Sequence, residues 1–199
     1  MFSYEMILED LKGSLSEHRF LHTLGVIQIS EKLADYYGIN VCKAKLAAAL
    51  HDCSKQKNIT EEMMREIALR TCFPDKYPQQ TRGDALLHAP ASEVIAREKY
   101  GITDADVLSA VRWHTTGCPN MKKLDMLIYS ADMIEPTRCF DGVEKLRAVM
   151  LEGIEKLTFE CMKHTVLYLE QTQSRIHQMT LDAYNYLKEK QMRNGENNG

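Results

Sequence analysis

Apolar residues recur at steps of three and four along almost the whole chain, and no segment alternates with the period of two that a half-buried strand requires. That periodicity predicts an all-α helical bundle, and capping residues divide it. A first helix is expected over about Ser3–Lys12. Ser14 with Glu17 reads as a capping box for a second, which runs to Tyr37 and stops at Gly38. The Ala- and Leu-rich stretch Val41–Cys53 reads as a short buried helix. Thr60, followed by Glu61 and Glu62, opens another that ends near Thr71. Phe73–Gly83 reads as a loop, Asp84–His88 as one helical turn, and Pro90 as part of the first turn of a helix ending at Gly101. Thr103 with Asp106 is expected to cap a helix reaching His114, and Lys122–Glu135 to be a helix stopped by Pro136. Asp141 is expected to cap a helix or pair of helices out to about His177, and Thr180 a last one to about Gln191. Residues 1–192 then form a single domain, with the helices of 141–191 packed on the rest, and the polar stretch 193–199 is expected to be a disordered tail.

Charge narrows the partners. Lys plus Arg number 25 and Asp plus Glu 28 among 199 residues, a net of −3. This balance argues against charge-driven binding to nucleic acid or an anionic membrane, and leaves room for a small anionic substrate in a local basic pocket. Phe20–Ser30, the longest stretch free of Asp, Glu, Lys and Arg, is far shorter than the roughly 20 apolar residues that span a bilayer. Glu5, Glu9 and Asp10 exclude a secretory signal at the start. The six cysteines contain no C-x-x-C pair, which excludes a zinc ribbon. Reduced thiols and a cytoplasmic location are expected.

The informative residues are polar groups that interrupt apolar faces. His22 precedes Val26, Ile29 and Leu33 on a core-facing stripe. His51 follows Ala44, Ala47 and Ala48, with Asp52 leaving the same helix about 100° away. His114 follows Val107, Ala110 and Val111, and Asp132 follows Ile128 and Tyr129. One inward histidine is ordinarily a hydrogen-bonded core residue, and one inward aspartate a cap or ion-pair partner. A metal ion would account for all of them together: neutral imidazoles and carboxylates suit divalent iron, manganese or zinc, and helices of a bundle can bring them to one point. His18 and His22 have the H-x-x-x-H spacing of metalloproteases, but Arg19 stands where the catalytic Glu would be. Neither a G-x-x-x-x-G-K-[ST] loop nor a G-x-S-x-G elbow occurs.

His22, the His51–Asp52 pair and Asp132 together resemble the H…HD…D signature of HD-domain metal-dependent phosphohydrolases. The segments EHRFLHTLGV (17–26), AALHDCSK (48–55), LLHAP (86–90), RWHTTGCPNM (112–121) and YSADMIEPTR (129–138) are similar to the YqeK subfamily, the bacterial symmetrical diadenosine tetraphosphate hydrolases. The likeness covers 17–138 strongly and TLDAYNYL (180–187) more weakly. Cys53 and Ser54 depart from the residues frequent there without touching the signature.

The resemblance implies an HD-domain bundle with a metal site between core helices. His22, His51, Asp52 and Asp132 would hold one or two transition-metal ions, most simply iron. His88 and His114 would complete a second site or contact phosphate. Arg19, Lys55, Thr115 and Arg138 would contact phosphate, and His51, Asp52 and Lys55 would be the catalytic residues. Arg138 could grip a phosphate with two parallel hydrogen bonds. The implied reaction is attack of metal-activated water on a phosphoanhydride, giving two ADP from diadenosine tetraphosphate without a covalent nucleophile. Alternatives are another HD activity (a 5′-nucleotidase or phosphodiesterase), a non-catalytic nucleotide-sensing module, and a helical interaction protein with coincidental histidines. A homodimer is compatible with the sequence. Tyr184 and Asn185 are read as part of a packing helix rather than a nucleotide contact.

Overall fold

The computed structural model describes residues 2–71 and 86–196, so the expected loop at Phe73–Gly83 and the start of the turn at Asp84–His88 lie outside the described residues. Within them the chain is helical and carries no strand, as its periodicity predicts. The order is α1 (Tyr4–Ser14), α2 (Glu17–Tyr37), α3 (Val41–Leu50), α4 (Glu61–Ala68), α5 (His88–Glu98), α6 (Ala105–Trp113), α7 (Lys123–Ile134), α8 (Val143–Ala148), α9 (Ile154–Gln171) and α10 (Gln178–Glu196).

Capping chemistry sets the starts. Ser3 Oγ accepts the Met6 N–H at 3.2 Å, and Thr60 Oγ1 accepts the Met63 N–H at 3.2 Å. Gly38 ends α2 at φ 65°, ψ 33°, a left-handed conformation that suits glycine. Several caps differ from expectation. α2 is capped by Ser16, whose Oγ accepts the Arg19 N–H at 3.3 Å; Ser14 is the last residue of α1. The buried, extended Leu15 between them anchors in the core and forces the restart. Asp104, not Thr103, caps α6, because its Oδ1 accepts two N–H groups, from Asp106 at 3.0 Å and Val107 at 3.1 Å. α8 starts after Gly142 at φ 91°, a conformation closed to Asp141. α10 starts before Thr180, where His177 Nδ1 accepts the Met179 N–H at 3.2 Å, and it continues to Glu196, so residues 193–196 are helical rather than tail.

α7 is the axis of the bundle. Leu124, Met126, Leu127, Ile128, Tyr129, Ala131 and Ile134 are buried on nearly all its sides, which only a helix enclosed by others tolerates. It packs against α2, α3, α6 and α9. α3 is narrow because Ala44, Ala47, Ala48 and Ala49 face inward. Small side chains let α2 and α3 approach closely, which brings the residues after Leu50 to the centre. On α2, Val26 and Leu33 are fully buried, each contributing roughly 1.5–3 kcal/mol.

α1 lays Ile7, Leu11 and Leu15 on that core. Its outer edge is tied by the Tyr100 hydroxyl, which donates to Asp10 Oδ2 at 2.7 Å. α5 and α6 are joined by buried Glu93, which accepts from Arg112 Nη2 at 2.6 Å and Arg97 Nη1 at 2.7 Å. Tyr184 of α10 stacks on Phe159 of α9 with ring centroids 5.6 Å apart, a packing role as expected. No helix of the described residues is long and apolar enough to cross a membrane.

Candidate metal centre

His22 leaves the middle of α2, one turn after Arg19. α3 ends at Leu50, so His51 and Asp52 leave from the turn beyond the helix rather than from the helix itself. His88 opens α5, His114 follows the last residue of α6, and Asp132 lies in the last turn of α7. Residues up to 110 positions apart (132 − 22) thus arrive at one place. His22 Nε2 is 3.1 Å from His51 Nε2, 3.1 Å from Asp132 Oδ1 and 3.9 Å from Asp52 Oδ2. His51 Nε2 is 3.6 Å from Asp52 Oδ2 and 4.0 Å from Asp132 Oδ1. The other oxygen, Asp52 Oδ1, faces 3.4 Å from His88 Nε2 and 3.9 Å from His114 Nε2. The donors form two adjoining groups, one of His22, His51 and Asp52 and one of Asp52, His88 and His114, with Asp52 common to both.

Backbone carbonyls fix the imidazole tautomers. His51 and His114 each follow a helix end and donate Nδ1–H to a carbonyl three residues back, Ala48 O and Val111 O, both at 2.7 Å. Those carbonyls are among the acceptors a helix end leaves open. His22 Nδ1 lies 3.0 Å from Glu135 Oε1. With Nδ1 as the donor in all three rings, each Nε2 presents its lone pair toward the cluster. Lone pairs of His22 and His51 facing one another at 3.1 Å repel unless a cation or proton lies with them. Two further buried atoms, Asp52 Oδ1 and His88 Nδ1, have no hydrogen-bond partner among the described residues; Oδ1 is near His88 Nε2 but not in hydrogen-bond geometry.

The electrostatics agree. Burial pulls the pKa of His51 down to about 4 and that of His88 down to about 3, so both are neutral and ligand-competent at pH 7. Burial also acts to lower His22, but Asp132 and Glu135 outweigh it and raise its pKa. Burial works against ionisation of Asp52 and Asp132, yet the surrounding imidazoles and cations hold both carboxyls below the usual range. The cluster is therefore two carboxylates with neutral or proton-seeking imidazoles, a donor set that fits a hard or borderline divalent ion. Cys53 beside it donates its thiol to Ser92 O, and burial pushes its pKa up to about 12, so no thiolate is offered.

Cations rim the cluster. Arg19 Nη1 lies 2.7 Å from Asp52 Oδ2, and Arg138 Nη2 lies 2.5 Å from Asp132 Oδ1. Asp132 is thus partly exposed and already paired, less isolated than its mid-helix position suggests. Burial lowers the pKa of half-buried Lys55, and the opposing influence of Asp52 and Asp132 places its ammonium in the same field. Thr115 Oγ1 sits 3.0 Å from His88 Nε2, so it meets a ligand candidate rather than open space. Glu135 is the residue the sequence reading missed. It is fully buried, faces His22, and accepts from Thr137 Oγ1 at 2.5 Å and Thr137 N–H at 2.6 Å. Its one signal was the three-residue step from Asp132, which puts both on one helix face.

Helices that each deliver a histidine or aspartate to one buried point define an HD-type metal-binding bundle, and the HD domain family model matches residues 19–137. Over 183 residues the chain is 40% identical to the symmetrical bis(5'-nucleosyl)-tetraphosphatase of Halalkalibacterium halodurans, covering 90% of this chain and 94% of that one. It is 34% identical to the protein of that name from Bacillus subtilis, covering 92% and 96%. A crystal structure of an HD superfamily hydrolase from Clostridium acetobutylicum superposes with a TM-score of 0.87 at 36% identity, covering 96% of this chain and 99% of that one. The chain belongs to the HD-domain family and, more narrowly, to the family of these bacterial tetraphosphatases.

Proposed function

We propose that the chain hydrolyses diadenosine tetraphosphate symmetrically to two ADP, with iron held by His22, His51, Asp52 and Asp132 and a second ion shared through Asp52 with His88 and His114. The observation that carries this reading is the convergence of buried, tautomer-fixed Nε2 atoms and carboxylate oxygens, in a chain 40% identical to a symmetrical bis(5'-nucleosyl)-tetraphosphatase. A bound metal ion supplies Lewis acidity, polarising a phosphoryl oxygen and lowering the pKa of water.

The protein's own groups bind and orient. Arg19 and Arg138 present planar forks suited to non-bridging phosphate oxygens, and Lys55 adds a point charge beside Asp52. Glu135 and the carbonyls of Ala48 and Val111 hold the imidazoles in one tautomer. The departing ADP is a stabilised phosphate, so little acid assistance is needed. All donors come from one chain. The five cysteines among the described residues are free thiols, which supports a reducing cytoplasm.

Product analysis tests the reading. Iron-loaded protein incubated with diadenosine tetraphosphate should yield ADP alone. AMP with ATP would refute the symmetric cut, and release of phosphate from a nucleoside monophosphate in preference would favour the 5′-nucleotidase alternative.

A further inference from the structure

The C-terminal end of α7 carries three consequences for the site: Asp132 itself, the Glu135 carboxylate against His22, and Arg138 against Asp132. That end is poorly provided for by its own backbone. Pro136 has no N–H, so the usual donors beyond a helix end are short by one. Side chains fill the gap. Arg138 donates Nε–H to Asp132 O at 2.8 Å. Arg147, on α8, donates Nε–H to Ile134 O at 3.0 Å and uses Nη2 on both Glu135 O at 2.7 Å and Arg138 O at 2.9 Å. Its other terminal nitrogen pairs with Glu144 at 2.5 Å.

We propose that Arg147 is a positioning residue for the metal centre: its guanidinium clamps three carbonyls of the 134–138 turn, fixing Glu135 against His22 and Arg138 at the phosphate-facing rim. Its hydrogen bonds go to main-chain carbonyls and to Glu144 rather than to a candidate metal ligand's side chain, and it lies outside the matched HD region of 19–137. A guanidinium is needed. Donors fixed in one plane reach Ile134 O, Glu135 O and Arg138 O together, whereas a lysine ammonium on a flexible stem has no such fork. The other restraints on the turn are internal to it, the Arg138 N–H donating to Glu135 O at 3.0 Å and Thr137 holding the Glu135 carboxylate, whereas Arg147 ties the turn to α8.

The inference rests on the metal reading above, and the test separates the two. Wild type and Arg147→Lys are stripped of metal and titrated with Mn2+, the half-saturation point being read directly. Folding is checked by ellipticity, and Ile7→Val, a small core change on remote α1, serves as a control for general loss of stability. Outer-shell partners typically alter metal affinity 10–100-fold, so Arg147→Lys should weaken Mn2+ binding by about tenfold, with Ile7→Val unchanged. The same substitution in a Glu135→Gln background should add less than about twofold, since both act on His22 through one path. Unchanged affinity in Arg147→Lys, or a full tenfold loss added to that of Glu135→Gln, overturns the positioning role while leaving the metal reading intact. A wild type that binds no Mn2+ overturns both.

Discussion

Acid should destabilise the metal-free protein well before its carboxylates protonate. His51 and His88 have folded-state pKa values of about 4 and about 3, against 6.5 for a free imidazole. Between pH 6.5 and pH 4 the unfolded chain therefore binds more protons at these positions than the folded one. Their neutral state contributes stability above pH 6.5 that is lost as pH falls. Each pH unit in that window costs about 1.36 kcal/mol per group, so lowering pH from 6.5 to 5 costs about 2 kcal/mol for each and about 4 kcal/mol for the pair. His22 has the opposite sign. Its raised pKa contributes stability fully present below pH 6.5 and lost as pH rises through the folded value, which offsets part of the loss on acidification. Asp52 and Asp132, held low, contribute no loss before about pH 4. The net loss of about 2–4 kcal/mol is a large part of the roughly 5–15 kcal/mol a domain has. The assay is urea unfolding in EDTA at pH 7, 6 and 5. With an m-value of about 2 kcal/mol/M, the midpoint should fall by about 1–2 M. A midpoint flat or rising toward pH 5 would refute the claim that these imidazoles are buried and neutral.

Two other perturbations address the surroundings of His22 and Asp132. In Gly25→Ala, the new methyl group would overlap Glu135 Oε2, which cannot retreat without breaking its bonds to Thr137 or His22; a stability loss of about 1–3 kcal/mol is expected, with weaker metal binding in a titration of the stripped protein. Arg138→Lys keeps the charge but loses the fork that spans Asp132 O and Oδ1, so KM for the dinucleotide should rise several-fold in steady-state assays with metal content unchanged.

Much of the centre was legible because a buried histidine or acid on an apolar helix face is costly, and several in sequence demand a shared cause. That argument reached His22, His51, Asp52, His114 and Asp132, and the likeness to a known signature added His88. Start and stop signals worked where one side chain does the capping, as at Ser3, Thr60 and Gly38. They failed where tertiary packing chose among neighbours: buried Leu15 selected Ser16 over Ser14, and the helix ended at Leu50, so the His51–Asp52 pair hangs from a turn. Asp52 facing both donor groups follows from that turn and has no sequence signal. Glu135 and Arg147 were hidden for a different reason. A glutamate before a proline reads as a helix end, and an arginine on a surface helix reads as a solvated charge. Only the fold brings one to an imidazole and the other to three carbonyls.

The central claim is that the imidazoles and carboxylates meeting between α2, α3, α5, α6 and α7 exist to hold a cation. The most direct measurement is metal content per chain after anaerobic purification, for the native sequence and for Asp52→Ala, the residue common to both donor groups. The native protein should retain one to two equivalents of transition metal and lose its hydrolytic activity to a chelator, while Asp52→Ala keeps its helical ellipticity and binds little or none. A native protein that carries no metal and hydrolyses its substrate equally well in the chelator would contradict the account.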